Sequence, residues 1–294
     1  MGVSMRDMSG YGKKQSGVQW PQKARMAVNF VINYEEGAEL TPVNGDLCAE
    51  TYGGEFPLAA KPEGMRNLSM ESLFEYGSRA GIWRLLRLFD AAGIPLTFFV
   101  TGFALTLNPE FCVYLTHSKH EIAGHGWRWI DYARLAKKEE KEHMQICIDT
   151  IAALTGKRPQ GWYTGRRSLH TRNLLREIGG FIYDSDSYAD DLPYFEQEHL
   201  IIPYALDCND FRFSISPGFR TGTDFFDYLK DSFDYLYAEN RPVMLSIGLH
   251  PRFSGHPGRC MALKRFIGHI QQFPDIWITR RIDIANYWLS QSKC

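Results

Sequence analysis

The sequence predicts an α/β fold, an irregular (β/α) barrel in which parallel strands alternate with helices. Short apolar runs alternate with amphipathic helical patterns along almost the whole chain, which is typical of βαβ units. The chain offers eight such apolar runs, and that number suits a closed or slightly irregular barrel better than an open sheet. With 294 residues, of which 44% are hydrophobic and 14% aromatic, the chain can bury a large core.

The elements follow one another along the chain. The apolar run 28–32 is the first predicted strand, and the amphipathic pattern 78–93 is the first predicted helix, which ends at Gly93. The long helix 136–156 carries its charges early and ends at Gly156. The other predicted strands are 95–102, 121–125, 161–165, 181–186, 200–207, 243–250 and 276–280, and the other predicted helices are 109–117, 171–180, 222–240, 262–273 and 282–291.

Domain organisation is expected to be simple. No low-complexity stretch or polar linker divides the chain, so we expect one barrel domain over 1–294 with an N-terminal extension over about 1–20. The segments 35–72 and 186–199 are long, rich in glycine, proline and acidic residues, and follow strands. Loops of this length are usually functional or contact another subunit, and a plain solvent-facing loop is the alternative for each.

Composition and charge exclude several classes of partner. Lys plus Arg (33) nearly balance Asp plus Glu (34), and there is no basic run that would attract nucleic acid or an anionic membrane. The N-terminus lacks an apolar core of the signal-peptide kind, and no segment approaches the roughly 18 apolar residues of a membrane span. The six cysteines form no CxxC pair. We therefore expect a cytoplasmic protein with reduced cysteines and with neither nucleic acid nor membrane as a partner.

The candidate catalytic residues lie where predicted strands end, because the loops after the strands of a parallel barrel converge on one mouth. Glu35 and Glu36 follow the first strand, His125 the third, and His250 a late one. Carboxylates and histidines together form the composition of a hydrolytic acid/base site. The plainer alternatives are solvated charges for the two acids and hydrogen-bonded core side chains for the two histidines. Candidate substrate-binding residues near these strand ends are Asn33, Tyr34, Trp127, Trp129, Tyr163 and Arg166.

The order of these motifs resembles the polysaccharide deacetylase (NodB-homology) superfamily, from about Trp20 to the C-terminus. The matching motifs are NYEEG after the first strand, GHGWRW after the third, an arginine-bearing segment after the fourth and LH on a late strand. In metal-dependent members an acidic pair supplies a base and a metal ligand, a His-x-x-x-His pair supplies two further ligands, and the late histidine is the general acid. Here His125 matches the first histidine of the pair, Trp129 stands in place of the second, and His250 matches the late one.

A narrower resemblance covers seven longer strings, which are similar to the metal-independent allantoinase branch of this superfamily. Members of that branch open the hydantoin ring of (S)-allantoin to give allantoate in purine breakdown, and the resemblance implies a homotetramer. The chain departs from the branch at Gly124, where the branch has cysteine, and at Asp131, where it has histidine. The strings are NFVINYEEGAE, SMESLFEYGSRAGIWRLLR, HGWRWIDY, LTGKRPQGWYTGR, YDSDSYADDLPY, LKDSFDYLYAE and ITRRIDIANYW.

Ligand chemistry favours a site without metal or other cofactor. A catalytic zinc needs about three protein ligands and an open position for water. His125 supplies one ligand, and the Trp129 indole has no lone pair to offer. Glu35 and Asp131 would therefore have to rebuild the metal site.

We expect the hydrolysis of a cyclic amide, with a small ureide or hydantoin as the partner. Glu36, or Glu35, takes a proton from the attacking water, and His250 donates one to the leaving nitrogen. The oxyanion would be stabilised by Arg166, His125 or backbone N–H groups, and the flat ring would be positioned by Asn33, Trp127 and Trp129.

Two alternatives remain at this point. One is a metal-dependent deacetylase of an N-acetylated (poly)saccharide, with a divalent metal such as zinc held by Glu35, His125 and Asp131. The other is a binding protein that has kept the pocket without its chemistry.

Overall fold

The computed structural model of the protein describes residues 6–13, 17–55 and 60–291. Residues 1–5 and 14–16 of the expected N-terminal extension lie outside these ranges. Nine strands occur in the described part of the chain. They are β1 (Met26–Tyr34), β2 (Thr97–Val100), β3 (Glu121–Gly124), β4 (Gly161–Trp162), β5 (Tyr183–Asp184), β6 (Tyr194–Glu196), β7 (His199–Ile201), β8 (Val243–Leu249) and β9 (Ile276–Ile278).

Helices follow most of the strands and cover the outside of the sheet. The α-helices are α1 (Leu68–Tyr76), α2 (Ile82–Ala92), α3 (Gly102–Thr106), α4 (Pro109–His117), α5 (Lys137–Thr155), α6 (Thr171–Ile178), α7 (Gly222–Ala238), α8 (Pro251–Ser254), α9 (Pro257–Ile270) and α10 (Arg281–Gln291).

The strands form one curled, mostly parallel sheet in the order β6-β7-β5-β4-β3-β2-β1-β8. Strand β1 is buried along its whole length, because it pairs with β8 on one side and with both β9 and β2 on the other. The segment after β7 returns to β8, where Gly248 N–H donates to the Cys208 carbonyl at 3.0 Å. The sheet therefore curls almost back onto itself, which confirms the predicted irregular (β/α) barrel.

Two parts of the predicted element pattern differ from the structure. The segment 186–199 was predicted as a long loop, but Tyr194–Glu196 pairs antiparallel with His199–Ile201 and forms a short hairpin at the edge of the sheet. The predicted strand 200–207 is regular only as far as Ile201. The chain beyond it follows a different course, since Pro203 has no N–H for a ladder and the Ile202 and Pro203 carbonyls accept hydrogen bonds from buried Arg281.

A π-helical turn, Gly77–Gly81, joins α1 to α2 and packs beside α8. An added Cβ on Gly81 would overlap the backbone of Pro251, so the absence of a side chain lets these two elements approach closely. Turns of this kind often occur at functional sites. Here the turn adjoins the first residues after β8.

Among the described residues, no helix is both long enough and apolar enough to cross a membrane.

Candidate active site

The ends of β1, β3 and β8 bring three predicted residues together. Ile32 of β1 lies opposite Leu249 of β8, so His250 follows β8 on the strand next to β1, and Glu35 follows two residues beyond the level of His250. Strand β3 reaches the same edge through β2, and it places His125 directly after its last residue. All three side chains are at least 95% buried.

The Glu35 carboxylate is the centre of this cluster. Its Oε1 lies 3.0 Å from His125 Nε2 and 3.6 Å from His250 Nε2. Its Oε2 accepts a hydrogen bond from Arg252 Nη2 at 2.8 Å. Burial raises the pKa of Glu35, but Arg252 and His250 outweigh burial and hold that pKa well below its usual value. The Glu35 carboxylate is therefore ionised throughout the neutral range.

His125 is fixed in orientation by a second contact. Its Nδ1 lies 2.7 Å from the Tyr163 carbonyl oxygen, which can only accept, so Nδ1 carries a proton. Because the Glu35 carboxylate can only accept when ionised, the Nε2 contact is a hydrogen bond that His125 donates to it. The Tyr163 ring stacks on His125 with centroids 5.1 Å apart and limits rotation of the imidazole.

His250 is held by a carboxylate that was not among the predicted site residues. Asp210 Oδ1 lies 2.7 Å from His250 Nδ1, and Asp210 Oδ2 accepts from the His250 and Ser254 backbone N–H groups. Burial lowers the pKa of His250, but Glu35 and Asp210 outweigh it and raise the pKa to about 9. His250 is consequently protonated at neutral pH, with its Nε2–H on the side of Glu35.

Arg252 is a fully buried cation between the two predicted acids. Its guanidinium carbon lies 4.3 Å from the centre of the Phe74 ring and 5.1 Å from that of Trp129. Its Nη1 is 3.8 Å from Glu36 Oε1. Aromatic faces stabilise a desolvated guanidinium, which explains how this charge is held in the interior.

Glu36 occupies a different environment from Glu35. Its carboxylate packs against the π-helical turn at Gly77, and its Oε1 accepts from the Arg252 backbone N–H at 3.2 Å. Burial raises the pKa of Glu36 to about 8, even though the Arg252 cation opposes the shift. Within the described part of the chain, Glu36 forms no hydrogen bond or ion pair with His125 or His250. The pKa of Glu36 therefore suits a general base, whereas Glu35 is the acid that lies close to both histidines.

An aromatic layer covers the charged cluster. Trp129 lies over Arg252, and Phe211 packs against His250 with ring centroids 5.4 Å apart. Arg166 stacks on the outer part of this layer, 4.4 Å from the Trp129 ring, and donates to the Trp129 carbonyl. The predicted residues Trp129 and Arg166 therefore lie at the mouth of the site.

The four remaining predicted substrate-binding residues have different surroundings. Asn33 is buried inside the barrel and donates to the Tyr204 hydroxyl and the Leu249 carbonyl. Tyr34 belongs to the hydrophobic core, where its hydroxyl contacts Ser78. Trp127 packs against Phe103 of α3. The structure does not place Tyr34 or Trp127 in contact with the charged cluster, and Tyr163 reaches it through His125.

Gly124 and Asp131, the two positions at which the chain differs from the allantoinase branch, each have specific contacts in the structure. A Cβ on Gly124 would overlap the Trp162 ring, so the two residues fit each other. Asp131 accepts from the Ala133 N–H and pairs with Arg134, at the start of the 3₁₀ turn Tyr132–Arg134. Asp131 therefore has other partners than a rebuilt metal site. Within residues 6–13, 17–55 and 60–291, no group of three or more His, Cys, Asp or Glu side chains is arranged to hold a metal ion.

Arg252 and Asp210 were given no role in the predicted site, for identifiable reasons. Arg252 follows LHP in the sequence and looks like one of many surface cations, although its position two residues after a strand-end histidine was a usable signal. Asp210 lies in the segment CNDF after an irregular stretch of chain, and nothing in the local pattern connects it with His250, 40 residues further on.

Comparisons with known proteins agree with the fold and with the family that the sequence resembles. Residues 66–179 match the sequence profile of the polysaccharide deacetylase family. A Schizosaccharomyces pombe protein assigned to the polysaccharide deacetylases is 36% identical, with 96% of each chain covered. A crystal structure from Pseudomonas aeruginosa PAO1 with the same assignment is 49% identical over 96% of this chain and 97% of that one, with a TM-score of 0.94. The crystal structure of PuuE allantoinase is 50% identical over 97% of both chains, also with a TM-score of 0.94.

Proposed function

Because this chain belongs to the polysaccharide deacetylase family, we propose that it is a hydrolase of non-peptide carbon–nitrogen bonds that opens (S)-allantoin to allantoate. The proposal rests on the Glu35 carboxylate, which lies between His125 and the protonated His250 where β1, β3 and β8 end. An ionised acceptor and a protonated donor side by side are what ring opening by water requires.

The proposed reaction uses these groups in sequence. Glu35 takes a proton from water as the water oxygen bonds to the ring carbonyl carbon. The His125 Nε2–H group donates a hydrogen bond to the oxyanion that develops, an interaction often worth about 3 kcal/mol. The C–N bond then breaks, and His250 gives its Nε2 proton to the leaving nitrogen. Asp210 keeps the His250 imidazole oriented throughout.

Glu35 is preferred to Glu36 as the base on geometry. A base must lie within hydrogen-bond reach of the proton it removes, and a suitable pKa comes second. Glu36 is enclosed by Gly77 and Arg252 and forms no hydrogen bond or ion pair with either histidine. We assign to Glu36 instead the role of holding the Arg252 cation in position.

We propose that the reaction runs without a metal. The Arg252 guanidinium already donates a hydrogen bond to Glu35 Oε2, and so uses a lone pair that a metal would need. Trp129 offers no lone pair where metal-dependent relatives have a second histidine. A fixed cation beside Glu35 also repels a second one.

The alternative is a metal-dependent deacetylase of an N-acetylated saccharide. The names of the S. pombe and P. aeruginosa relatives favour it. Against it stand the engagement of Asp131 in a 3₁₀ turn and the burial of the acid/base cluster beneath an aromatic layer. A polymer chain needs an open groove to reach such a cluster.

We further propose one catalytic domain that works as a homotetramer in the cytoplasm, in purine breakdown. The five described cysteines are all free thiols, as expected in a reducing compartment. Apolar side chains on the loop 35–72 are exposed and could meet another subunit.

Turnover of a substrate panel tests the proposal directly. Purified protein is incubated with (S)-allantoin, hydantoin, dihydrouracil and N-acetylglucosamine oligomers, and the products are identified. Allantoate from allantoin supports the proposal, and release of acetate from the oligomers alone would establish the deacetylase instead.

A further inference from the structure

One short segment crosses over the aromatic layer of the site. This strap, Glu50–Glu55, belongs to the long loop after β1. Its Tyr52 ring is nearly parallel to Trp129, with an interplanar angle of 13° and centroids 6.2 Å apart. The same ring lies 5.1 Å from Phe211. Tyr52 therefore contacts both aromatic residues that cover the charged cluster.

The strap is fastened at both ends. At its start, the Glu50 N–H donates to the Leu40 carbonyl at 2.7 Å. The Glu50 carboxylate in turn accepts from the Tyr52 N–H at 2.8 Å. At its end, the Glu55 carboxylate receives two hydrogen bonds from the Arg259 guanidinium of α9, at 2.6 and 2.8 Å. A segment of six residues held in this way has little freedom to move as a whole.

The middle of the strap fits closely against the layer beneath it. Gly53 is buried and has a φ of +75°, and a Cβ there would lie 3.0 Å from Trp129 and 3.1 Å from Phe211. The Tyr52 ring, by contrast, is 49% exposed. Rotation of that side chain is therefore the smallest change that would uncover Trp129 and Phe211.

We propose that Tyr52 determines substrate specificity by admitting only a small, flat ring to the site. On its way to the charged cluster the ring of the substrate displaces the Tyr52 side chain and passes along the Trp129 and Phe211 faces, on which a flat π-system can stack. Because the strap is tied at Glu50 and Glu55, rotation of Tyr52 limits the size of the opening, which excludes a bulky or puckered ring. This inference rests on the proposed function and defines its substrate class as small planar cyclic ureides.

The large cavity beside the strap fits this role. It measures about 650 Å³ and is lined by Tyr52 and Arg166 among other residues. The Arg166 guanidinium lies 6.0 Å from the Tyr52 ring and 4.4 Å from the Trp129 ring. A ring in this cavity would lie beside a cation that can bind its carbonyl groups before the ring reaches Tyr52.

The test compares two substrates across four variants. Allantoin and the bulkier 5-benzylhydantoin are assayed with the wild type and with Tyr52→Ala, Tyr52→Phe, Arg259→Met and Tyr235→Ala, and kcat and KM are measured for each. Tyr235 on α7 is 71% exposed and serves as the control for loss of a tyrosine ring. Circular dichroism confirms that each variant is folded.

We expect Tyr52→Ala to raise the KM for allantoin and to shift the ratio of kcat/KM values toward 5-benzylhydantoin by about 10-fold or more, the size of effect that pocket contacts usually give. Arg259→Met should shift the ratio in the same direction, since it releases the strap, and Tyr52→Phe and Tyr235→Ala should keep it. An unchanged ratio in folded Tyr52→Ala, with an active wild type, overturns this inference alone. A wild type that hydrolyses no hydantoin overturns the proposed function and this inference together.

Discussion

Arg252 Nη2 donates a 2.8 Å hydrogen bond to Glu35 Oε2, and both side chains are almost completely buried. This buried pair connects the residues after β1 with those after β8. It also leaves Glu35 Oε1 as the oxygen that faces both histidines. The pair therefore fixes which glutamate, and which of its two oxygens, is presented to the substrate.

The first prediction separates the two acids. Glu35→Gln should lower kcat by about 10²-fold or more, because the amide cannot accept the proton of water. Glu36→Gln should cost less, since its carboxylate has no contact with either histidine and a neutral amide resembles its protonated form. Steady-state kinetics on both variants decide the matter. A larger loss in Glu36→Gln would assign the base to Glu36.

A second prediction concerns the pH dependence of the general acid. His250 has a pKa raised to about 9, so kcat/KM should fall as pH rises through about 9 and the proton is lost. Asp210→Asn removes one of the anions that raise this pKa. The alkaline limb of the variant should therefore move to lower pH by about one unit. An alkaline limb at the same pH in both proteins would show that His250 is not the titrating acid.

The third prediction is that activity survives removal of metal. Protein dialysed against EDTA and assayed in metal-free buffer should keep its turnover of allantoin, because a fixed guanidinium already neutralises Glu35. Metal content is measured on the same sample. If chelation abolishes turnover and zinc, cobalt or nickel restores it, the metal-dependent alternative is correct.

The buried Glu36 gives a fourth prediction, on stability. Its pKa of about 8 in the folded protein exceeds the usual 4.5, so the folded state binds more protons than the unfolded state between these values. The free energy of unfolding should therefore fall as pH rises from about 5 to 8, with Glu36 contributing on the order of 3 kcal/mol.

Glu36→Gln removes this contribution. Urea unfolding of the variant and the wild type at pH 5, 7 and 9 measures the difference between them. The variant should gain stability relative to the wild type as pH rises. A constant difference across the three pH values would show that Glu36 does not titrate in this range.

A fifth prediction concerns assembly. The Phe225 side chain on α7 is fully buried in the core and cannot contact another subunit. Leu47 and Leu68 are each 65% exposed. If they lie in the interface of the proposed tetramer, a Leu47→Asp, Leu68→Asp double variant should have a smaller mass by light scattering than the wild type. Leu169→Asp, at a 94% exposed leucine, is the control and should not change the mass. A monomeric wild type at micromolar concentration would contradict the proposed tetramer.

The sequence by itself determined the barrel and the positions from which the site is built. Alternating apolar runs and helices specify parallel βαβ units, and parallel strands bring their carboxyl ends to one edge. The residues directly after β1, β3 and β8 could therefore be placed near one another from pattern alone. This is why Glu35, His125 and His250 meet as expected.

Only the tertiary structure decided which way the neighbouring side chains face. Glu35 and Glu36 follow the last residue of β1, where the regular alternation of a strand ends, so the pattern could not say that one faces the histidines and the other Gly77. Arg252, Asp210 and Tyr52 joined the site through contacts that span 40 or more residues of sequence. Such contacts depend on how the loops pack after the sheet has curled, and no local periodicity records that packing.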